Sequence, residues 1–467
     1  MKAIDASAPH ARIRALLAKG VAAAAVSVAL AGAAAAQTYQ PDQGEPSMSP
    51  AMPDILPLRE RAQVHDRWLK RRLDTIVPAL MRENKIDMWV LVAREYLEDP
   101  VVGTMLNATN LRARRRTILM FYDPGGGKPV ERLVVSKHGM GDVFKPVWDM
   151  EKEPDQWTAL AKLIAERNPQ KIALNTSSLT AFADGMTHSQ YTDLMASLTP
   201  AQRTKVVSGY PLAIGWLETR SPEEMERYPE IVRVAHAIIG EGFSGKVIKP
   251  GVTTNQDLVW WYRQRVNDLG LASWFHPSVE ITRRGVKGVL REEASVIEKG
   301  DMLRVDFGIV YLGLNTDTQH VAYVLRDGER DAPAGLKAGL RDNNRVQDAV
   351  TSEFRVGDTG NQILARARAK AIGQGLKPTI YSHPIGYHGH GAGSAIGQSE
   401  NQVMIPHGEH RLRPNIAWSI ELKAAKTVPE WDGQEVDFKS EEDAFFDGRT
   451  VRYIDGRQTS FHLIEAQ

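Results

Sequence analysis

The chain of 467 residues contains no cysteine. Disulfide bonds, thiolate metal ligands and thiol nucleophiles are therefore excluded. An excess of one charge is also absent, because 58 lysines and arginines oppose 57 aspartates and glutamates and the formal net charge is +1. Nothing in this balance favours a nucleic-acid partner. With 42 % hydrophobic and 25 % charged residues, the composition is ordinary for a soluble protein of two or three domains.

A hydrophobic run long enough to span a membrane is missing as well. The most apolar stretch, residues 20–36, is rich in alanine and shorter than the roughly 20 strongly apolar residues that a span requires. Basic residues precede it, and Ala34-Ala35-Ala36 before Gln37 matches an A-x-A cleavage site. We expect residues 1–36 to be a signal peptide that is cleaved near Ala36. The mature protein would then be periplasmic or secreted, without a membrane partner.

The mature chain is predicted to contain a linker and two domains. Residues 37–55 are polar and rich in proline, which is typical of an extended linker. Residues 56–215 alternate helix-like and strand-like segments and predict an α/β domain. Ser221, Pro222 and Glu224 form a strong helix start, and it opens a predicted α+β domain over residues 216–467.

Two aspartates in this second domain suggest a metal site. The segment LRVDFGIVYLGLNTDTQHVAYVL (303–325) consists of two strand-like runs joined at Tyr311-Leu312-Gly313. In a hairpin centred there, Asp306 and Asp317 would face each other at roughly 4.5–5.5 Å, where like charges are destabilising. A metal ion or a shared proton would offset the repulsion. A pair of solvated aspartates in a polar hairpin would fit this short pattern equally well.

Three further segments add candidate ligands. Three histidines lie within eight residues of the glycine-rich run YSHPIGYHGHGAGSAIG (381–397), among them His383 and His390. Glu421 lies inside the apolar run AWSIELKAA, where a carboxylate is rarely buried unless it is paired or bound to metal. A third segment, KSEEDAFF, offers three adjacent acids at 441–443, and the residues alone do not choose among them.

Together these segments resemble the pita-bread metallohydrolases, which include creatinase and the methionine and Xaa-Pro aminopeptidases. The resemblance covers about the last 250 residues and rests on four motifs: VDFGxxYxG…D, SHPIG, SIEL and EEDAFF. It implies a pita-bread catalytic domain behind a creatinase-like N-terminal domain, closest to the Xaa-Pro aminopeptidase branch. It also implies five metal ligands: Asp306, Asp317, His383, Glu421 and Glu442. Glu441 and Asp443 are then expected to be solvated.

The resemblance further implies a mechanism and an assembly. Two divalent cations would hold a hydroxide that attacks the carbonyl of a short proline-containing peptide; manganese suits the oxygen-rich ligand set, and zinc, cobalt or iron could also bind. Glu421 would carry the proton, His390 would bind the oxyanion, and His276 and His388 would be second-rank candidates for substrate contact. The family also implies a homodimer or homotetramer.

Two departures from the family pattern keep other functions open. No histidine occurs at 283–290, where family peptidases usually have one. Two residues before the predicted ligand Glu442, where many Xaa-Pro members have an arginine, the chain has Ser440. A creatinase-like hydrolase or a lyase acting on a small non-peptide molecule is therefore an alternative. A non-catalytic binding protein on the same fold is another, although it would not need to keep five ligand types in register.

Overall fold

Two β-sheets with their helices organise residues 50–291 and 294–465, the part of the chain described by the computed structural model. The predicted signal peptide and most of the predicted linker lie outside these residues. As the sequence predicts, an α/β arrangement is followed by an α+β arrangement. None of the described helices is long and apolar enough to cross a membrane.

The first sheet has six strands in the order β4-β3-β2-β1-β5-β6. Strands β1 to β3 are antiparallel neighbours, whereas β5 and β6 join on the other side of β1 as parallel strands. The elements of this region are α1 (Leu58–Glu83), β1 (Met88–Arg94), α2 (Pro100–Gly103), β2 (Arg116–Tyr122), β3 (Glu131–Val135), β4 (Lys145–Pro146), α3 (Gln156–Arg167), β5 (Ile172–Leu174), α4 (His188–Ser197), α5 (Pro200–Arg203), β6 (Val206–Ser208) and α6 (Tyr210–Glu218).

The second sheet has nine strands and a central path β12-β14-β15-β11-β8-β7, with β13, β16 and β17 paired beside it. Its elements are α7 (Pro222–Gly242), α8 (Asn255–Asp268), β7 (Ser278–Thr282), β8 (Met302–Phe307), β9 (Val310–Tyr311), β10 (Leu314–Asn315), β11 (Thr318–Val324), α9 (Ala334–Thr351), α10 (Gly360–Gly373), β12 (Pro378–Ile380), β13 (His383–Ile385), β14 (Ile416–Val428), β15 (Gln434–Phe446), β16 (Val451–Tyr453) and β17 (His462–Ile464). Strands β9 and β10 form a separate two-stranded ribbon. Short 3₁₀ turns occupy Ala181–Ala183, Pro406–Glu409 and Pro429–Trp431.

Local sequence explains the start of the second region. Ser221 caps α7 through the N–H of Glu224, and the Glu224 carboxylate accepts the N–H of Ser221 in return. Each side chain satisfies a backbone donor that the helix leaves unpaired. The predicted domain boundary at residues 215 and 216 falls inside α6, and the described residues on both sides belong to one compact body.

The hairpin predicted for residues 303–325 forms, but its register differs from the expectation. Leu312 and Gly313 make a two-residue turn with positive φ at both positions, the geometry that matches strand twist. Beyond it, β8 and β11 pair Asp306 with Gln319 rather than with Asp317. The expected direct opposition of the two aspartates is therefore wrong.

The long hairpin of β14 and β15 positions the last two candidate segments. The two strands pair over 13 residues each, and Glu421 lies directly opposite Glu441. Successive side chains of a strand point to opposite faces of the sheet. Glu441 therefore shares a face with Glu421, and Glu442 points to the other face.

Candidate metal centre

Four carboxylates and one imidazole converge where β8, β11, β13, β14 and β15 meet. The donor atoms of Asp306, Asp317 and Glu441 lie within 4.8 Å of one another, and so do those of His383, Glu421 and Glu441. Glu441 belongs to both groups and links them into one cluster of five residues. The structure thus brings together four of the five residues that the sequence predicted.

Glu442 is the predicted ligand that the structure does not bring to this cluster. Its carboxylate lies on the opposite face of β15, 3.3 Å from His236 Nε2 and 3.1 Å from His320 Nε2. Glu441 takes its place, and it is buried rather than solvated, as is Asp443. The physical reason is strand alternation, which separates the two adjacent glutamates onto different faces.

With Glu441 as the candidate ligand, the residue two positions earlier is Lys439, a cation where the resemblance leads one to expect an arginine. Ser440 lies on the other face and contacts Asn343. Lys439 donates to the buried carboxylate of Glu280, at 2.9 and 3.1 Å. Arg304 binds the same carboxylate and also donates to Asp306, at 3.3 Å.

His383 is held as a neutral imidazole whose Nε2 carries a lone pair. Its Nδ1 lies 3.0 Å from the carbonyl oxygen of Pro384, which places the proton on Nδ1. Burial and the neighbouring His390 lower the pKa of His383 to about 3. Its Nε2 lies 3.8 Å from both Asp317 and Glu441 and has no hydrogen-bond partner among the described residues. Metal-binding histidines show this arrangement, with the outer nitrogen fixed by a backbone carbonyl.

The carboxylates raise one another's pKa. Burial, followed by repulsion from Asp306, raises the pKa of Glu421 to about 7. Burial and the charges of the other cluster acids raise the pKa values of Asp317 and Glu441 well above their usual range. Each pKa is raised because a negative charge is costly beside other negative charges in a desolvated place. Divalent cations would remove this cost.

Hydrogen bonds with three neighbouring side chains hold the cluster in place. Gln319 donates through its amide nitrogen to Glu421 at 2.9 Å and to Glu441 at 2.6 Å. Ser419 donates to the other oxygen of Glu441. Asp443 accepts the backbone N–H of Asp317, at 3.2 and 3.4 Å, and so fixes the start of β11.

His390 stands at the edge of the cluster on the glycine-rich segment. Its ring contacts that of His383 at 4.9 Å between centroids and that of Trp274 at 5.3 Å. Its donor atoms group with those of Asp317 and His383. Partial desolvation lowers the pKa of His390, so at neutral pH the ring is uncharged and can donate one hydrogen bond.

His276 does not join this site. It is exposed, lies 3.1 Å from Arg263 and packs against Trp260, and it belongs to none of the donor groups found among residues 50–291 and 294–465. Trp274 on the same segment reaches His390 instead, held by a hydrogen bond of 2.8 Å to the carbonyl of Thr316. His388 packs against Phe182 and also stays outside the cluster. The interpretation of His276 as a catalytic residue is therefore corrected.

Two cavities meet at the cluster. The larger, of about 1100 Å³, is lined by Phe182 and Tyr210 from the first region and by Tyr381, His383 and His390 from the second. The smaller, of about 350 Å³, is lined by Asp306 and Glu421 together with the cations Arg291, Arg304, Lys423 and Lys439. Tyr381 lines both cavities. A molecule in either cavity can therefore approach the carboxylate cluster.

The donor set fits divalent cations. Asp317 Oδ1 and His383 Nε2 are buried ligand atoms that have no hydrogen-bond partner in the described part of the chain. Both are directed into the cluster. Four carboxylates nearly balance two divalent charges, and an oxygen-rich set with one imidazole suits manganese, zinc, cobalt or iron. Asp306, Asp317, His383, Glu421 and Glu441 would hold the ions.

Comparison with known proteins agrees with this geometry. Residues 227–455 match the family model described as metallopeptidase family M24. This range contains every member of the cluster. A comparison with curated proteins gives no significant match.

Solved structures similar to this chain extend the agreement to the whole fold. X-Pro aminopeptidase from Thermotoga maritima has a TM-score of 0.59 at 16% identity, over 83% of this chain and 99% of that one. A variant of Escherichia coli aminopeptidase P in complex with substrate has a TM-score of 0.57 at 11% identity, over 84% of this chain and 96% of that one. Xaa-Pro dipeptidase from Bacillus anthracis has a TM-score of 0.53 at 16% identity, over 87% of this chain and 100% of that one. At these identities the likeness establishes the fold.

Proposed function

We propose that the protein is an Xaa-Pro-type aminopeptidase, because residues 227–455 match the family model described as metallopeptidase family M24. It would remove the N-terminal residue from short peptides whose second residue is proline. The observation that carries the proposal is the convergence of Asp306, Asp317, His383, Glu421 and Glu441 at the meeting point of two cavities. The solved structures with the same fold include aminopeptidases and a dipeptidase named for this bond.

Two divalent cations, when bound, would lower the pKa of a water molecule and polarise the carbonyl of the substrate. The chain contributes a rigid frame for this chemistry. Four of the five ligand side chains come from strands of one sheet, and Asp317 directly precedes the strand β11. Side chains on such elements are positioned more accurately than side chains on loops. Gln319 and Ser419 fix the orientation of the glutamates from behind.

Glu421 is suited to carry a proton during hydrolysis. One of its oxygens accepts the amide of Gln319, which leaves the second oxygen available to a water molecule or a leaving amine. Burial and Asp306 raise its pKa to about 7, near the operating pH at which acid–base catalysis is most efficient. Glu421 would accept a proton from the attacking water and pass it to the departing nitrogen.

His390 is suited to stabilise the negative charge that develops on the carbonyl oxygen. The neutral ring lies beside His383 and lines the larger cavity. Trp274 limits its movement on one side. A donor of this kind typically contributes about 3–4 kcal/mol to the transition state.

The larger cavity supports a short peptide as substrate. Its walls come from both regions of the fold, with Phe182 and Tyr210 facing the metal-cluster side across it. Ring and aliphatic surfaces of this kind suit the apolar ring of proline and its neighbour.

The direct test is hydrolysis of Xaa-Pro dipeptides and tripeptides by protein loaded with Mn²⁺, together with the metal content of the same sample. We expect about two ions per chain from this cluster and release of the N-terminal residue. The Asp317→Asn variant should lose both, whereas Glu435→Gln, an exposed acid on β15, should retain both. Metal binding without cleavage of any proline peptide would instead favour a small non-peptide substrate.

We further propose that the protein is exported after cleavage near Ala36 and that it assembles as a homodimer or homotetramer. N-terminal sequencing of protein from a periplasmic fraction should begin near Gln37. Light scattering during size-exclusion chromatography should give a mass at least about twice that of one chain. A monomer in solution, or retention of residue 1, would contradict the corresponding part of the proposal.

A further inference from the structure

A second cluster of metal-binding side chains lies on the other face of the sheet. The donor atoms of His236 from α7, His320 from β11 and Glu442 from β15 lie within 4.8 Å of one another. All three side chains are 1–2 % exposed. Neither of the two cavities that reach the carboxylate cluster is lined by any of them.

The distances within this cluster match the spacing of ligands around one ion. Glu442 Oε2 lies 3.3 Å from His236 Nε2, and Glu442 Oε1 lies 3.1 Å from His320 Nε2. Nitrogen and oxygen ligands placed tetrahedrally at roughly 2.0–2.1 Å from zinc are about 3.3 Å apart. Two imidazoles and a carboxylate are also a common zinc ligand set.

The outer nitrogens of both histidines have partners suited to a metal-bound imidazole. His236 Nδ1 lies 3.1 Å from Asp455 Oδ2, and His320 Nδ1 lies 3.2 Å from His462 Nε2. With an ion bound, protons on both Nδ1 atoms would leave a lone pair on each Nε2. In the structure His320 Nε2 shares a hydrogen bond with Glu442 Oε1, at 3.1 Å, and the same oxygen accepts the backbone N–H of Gln458, at 2.7 Å. Carboxylates and other acceptors hold metal-binding histidines in this tautomer.

The contact between His236 and Glu442 is not a well-formed hydrogen bond. His236 Nε2 and Glu442 Oε2 approach to 3.3 Å, yet neither atom has a hydrogen-bond partner among the described residues. Burial alone would lower the pKa of His236, but Asp455 and Glu442 raise it to about 9, so in the metal-free protein the two groups form an ion pair. An incoming cation would displace the Nε2 proton and take its place between the same two atoms.

We infer that His236, His320 and Glu442 form a buried site for one divalent cation of the zinc type, distinct from the carboxylate cluster. The ion would connect α7 to β11, which begins directly after Asp317, and to β15, which carries Glu441. Because the side chains come from a helix and two strands, the site would brace the sheet behind the first cluster. The role is structural, since neither cavity beside the carboxylate cluster leads to it.

Metal content of the full mature chain tests this inference. Wild-type protein refolded or loaded with Zn²⁺ should contain about one ion per chain more than the His320→Gln variant. The double variant Asp317→Asn/Glu441→Gln should lose the ions of the carboxylate cluster and keep this one. His188→Gln, which changes an exposed histidine on α4, should match the wild type.

A spectroscopic measurement covers the case in which a variant loads poorly. Co²⁺ in a four-coordinate site absorbs visible light more strongly than six-coordinate Co²⁺. The Asp317→Asn/Glu441→Gln protein loaded with Co²⁺ should show this absorption, and Glu442→Gln added to it should abolish the absorption while circular dichroism stays unchanged. Equal metal content in wild type and His320→Gln, with no such absorption, would overturn the inference. Peptide hydrolysis plays no part in either readout, so failure of the proposed activity would not affect them.

Discussion

Glu421 and Glu441 lie directly opposite each other in β14 and β15, and the amide of Gln319 donates to both carboxylates. Like charges at this position of an antiparallel pair are destabilising. Both carboxylates have raised pKa values because they are buried close to each other and to Asp306. The sheet therefore holds an arrangement that a divalent cation stabilises and that an uncharged ligand would not.

The first prediction concerns Glu441, the residue that replaces Glu442 in the cluster. Glu441→Gln removes one charge and one metal-binding oxygen while keeping the side-chain shape, so we expect metal affinity and kcat/KM to fall by at least about 100-fold. Titration with Mn²⁺ and peptide hydrolysis measure the two effects. Glu435→Gln on the same strand is the control. Unchanged metal affinity in Glu441→Gln would contradict the placement of this residue.

The second prediction concerns Gln319, which contacts no ion in the proposed arrangement. Gln319→Ala removes the donor shared by Glu421 and Glu441, and loss of such supporting contacts typically costs about 10–100-fold in metal affinity. The same substitution at the exposed Gln398 should have no effect on metal affinity. A Gln319→Ala protein that binds Mn²⁺ as tightly as the wild type would show that the glutamates need no support.

The position of Gln319 also illustrates which parts of the site the sequence could predict. Asp306, Asp317, His383 and Glu421 lie in short motifs whose strand or turn character is local, and all four meet in the structure. Gln319 is separated from Glu421 by about a hundred residues, and its role depends on the pairing of β8, β11 and β15. Long-range pairing of this kind has no signature in a short segment.

The prediction of Glu442 rather than Glu441 as a metal ligand was wrong for a related reason. Residues 440–446 are buried on both faces of β15, so the alternation of apolar and polar residues that usually shows which face is inside is lost. The turn did not decide the choice either. A two-residue hairpin at Asp432-Gly433 would place Glu421 opposite Ala444, whereas the real connection spans residues 429–433 and places Glu421 opposite Glu441.

The third prediction follows from the raised carboxylate pKa values. Glu421 has a pKa of about 7 in the folded protein and about 4.3 when unfolded. Between these values the folded metal-free protein binds more protons than the unfolded chain, so this group lowers the free energy of unfolding as pH rises. Asp317 and Glu441 act in the same direction.

Bound cations require the deprotonated acids and remove their repulsion. The rise in Tm on adding Mn²⁺ should therefore be larger at about pH 7.5 than at about pH 5, as measured by calorimetry. Comparing the same protein with and without metal cancels the titration of groups far from the cluster. An equal rise in Tm at both pH values would show that these carboxylates do not bind the ions.

The fourth prediction separates His390 from His276. His390→Ala should lower kcat by about 10²–10³-fold with a smaller change in KM, because the lost hydrogen bond forms chiefly in the transition state. His276→Ala should retain wild-type kcat, since that ring is exposed and contacts Arg263 and Trp260. Steady-state kinetics with an Xaa-Pro peptide measure both. A large kcat loss in His276→Ala alone would reverse the correction made from the structure.

The last prediction concerns the buried charges that join the first region to the glycine-rich segment. Glu224 is fully buried and accepts hydrogen bonds from Arg72 of α1 at 2.8 Å and from the Tyr387 hydroxyl at 2.9 Å. Arg220 lies 3.4 Å from the same carboxylate. Although burial alone would raise the pKa of Glu224, Arg220 and Arg72 lower it, so the group is charged at neutral pH.

The guanidinium groups of Arg72 and Arg220 also lie over the ring of Tyr387, at 4.8 and 4.6 Å. Glu224→Ala would leave two buried cations without their carboxylate, and breaking a buried ion pair in this way typically costs about 3–5 kcal/mol. Thermal and urea unfolding should show this loss, whereas Glu226→Ala, at an exposed acid of the same helix, should change stability by less than about 1 kcal/mol. Because Tyr387 lies between His383 and His390, the surviving folded Glu224→Ala protein should also show reduced kcat. A stable variant with wild-type kcat would mean that the first region supports neither the fold nor the position of His390 through this contact.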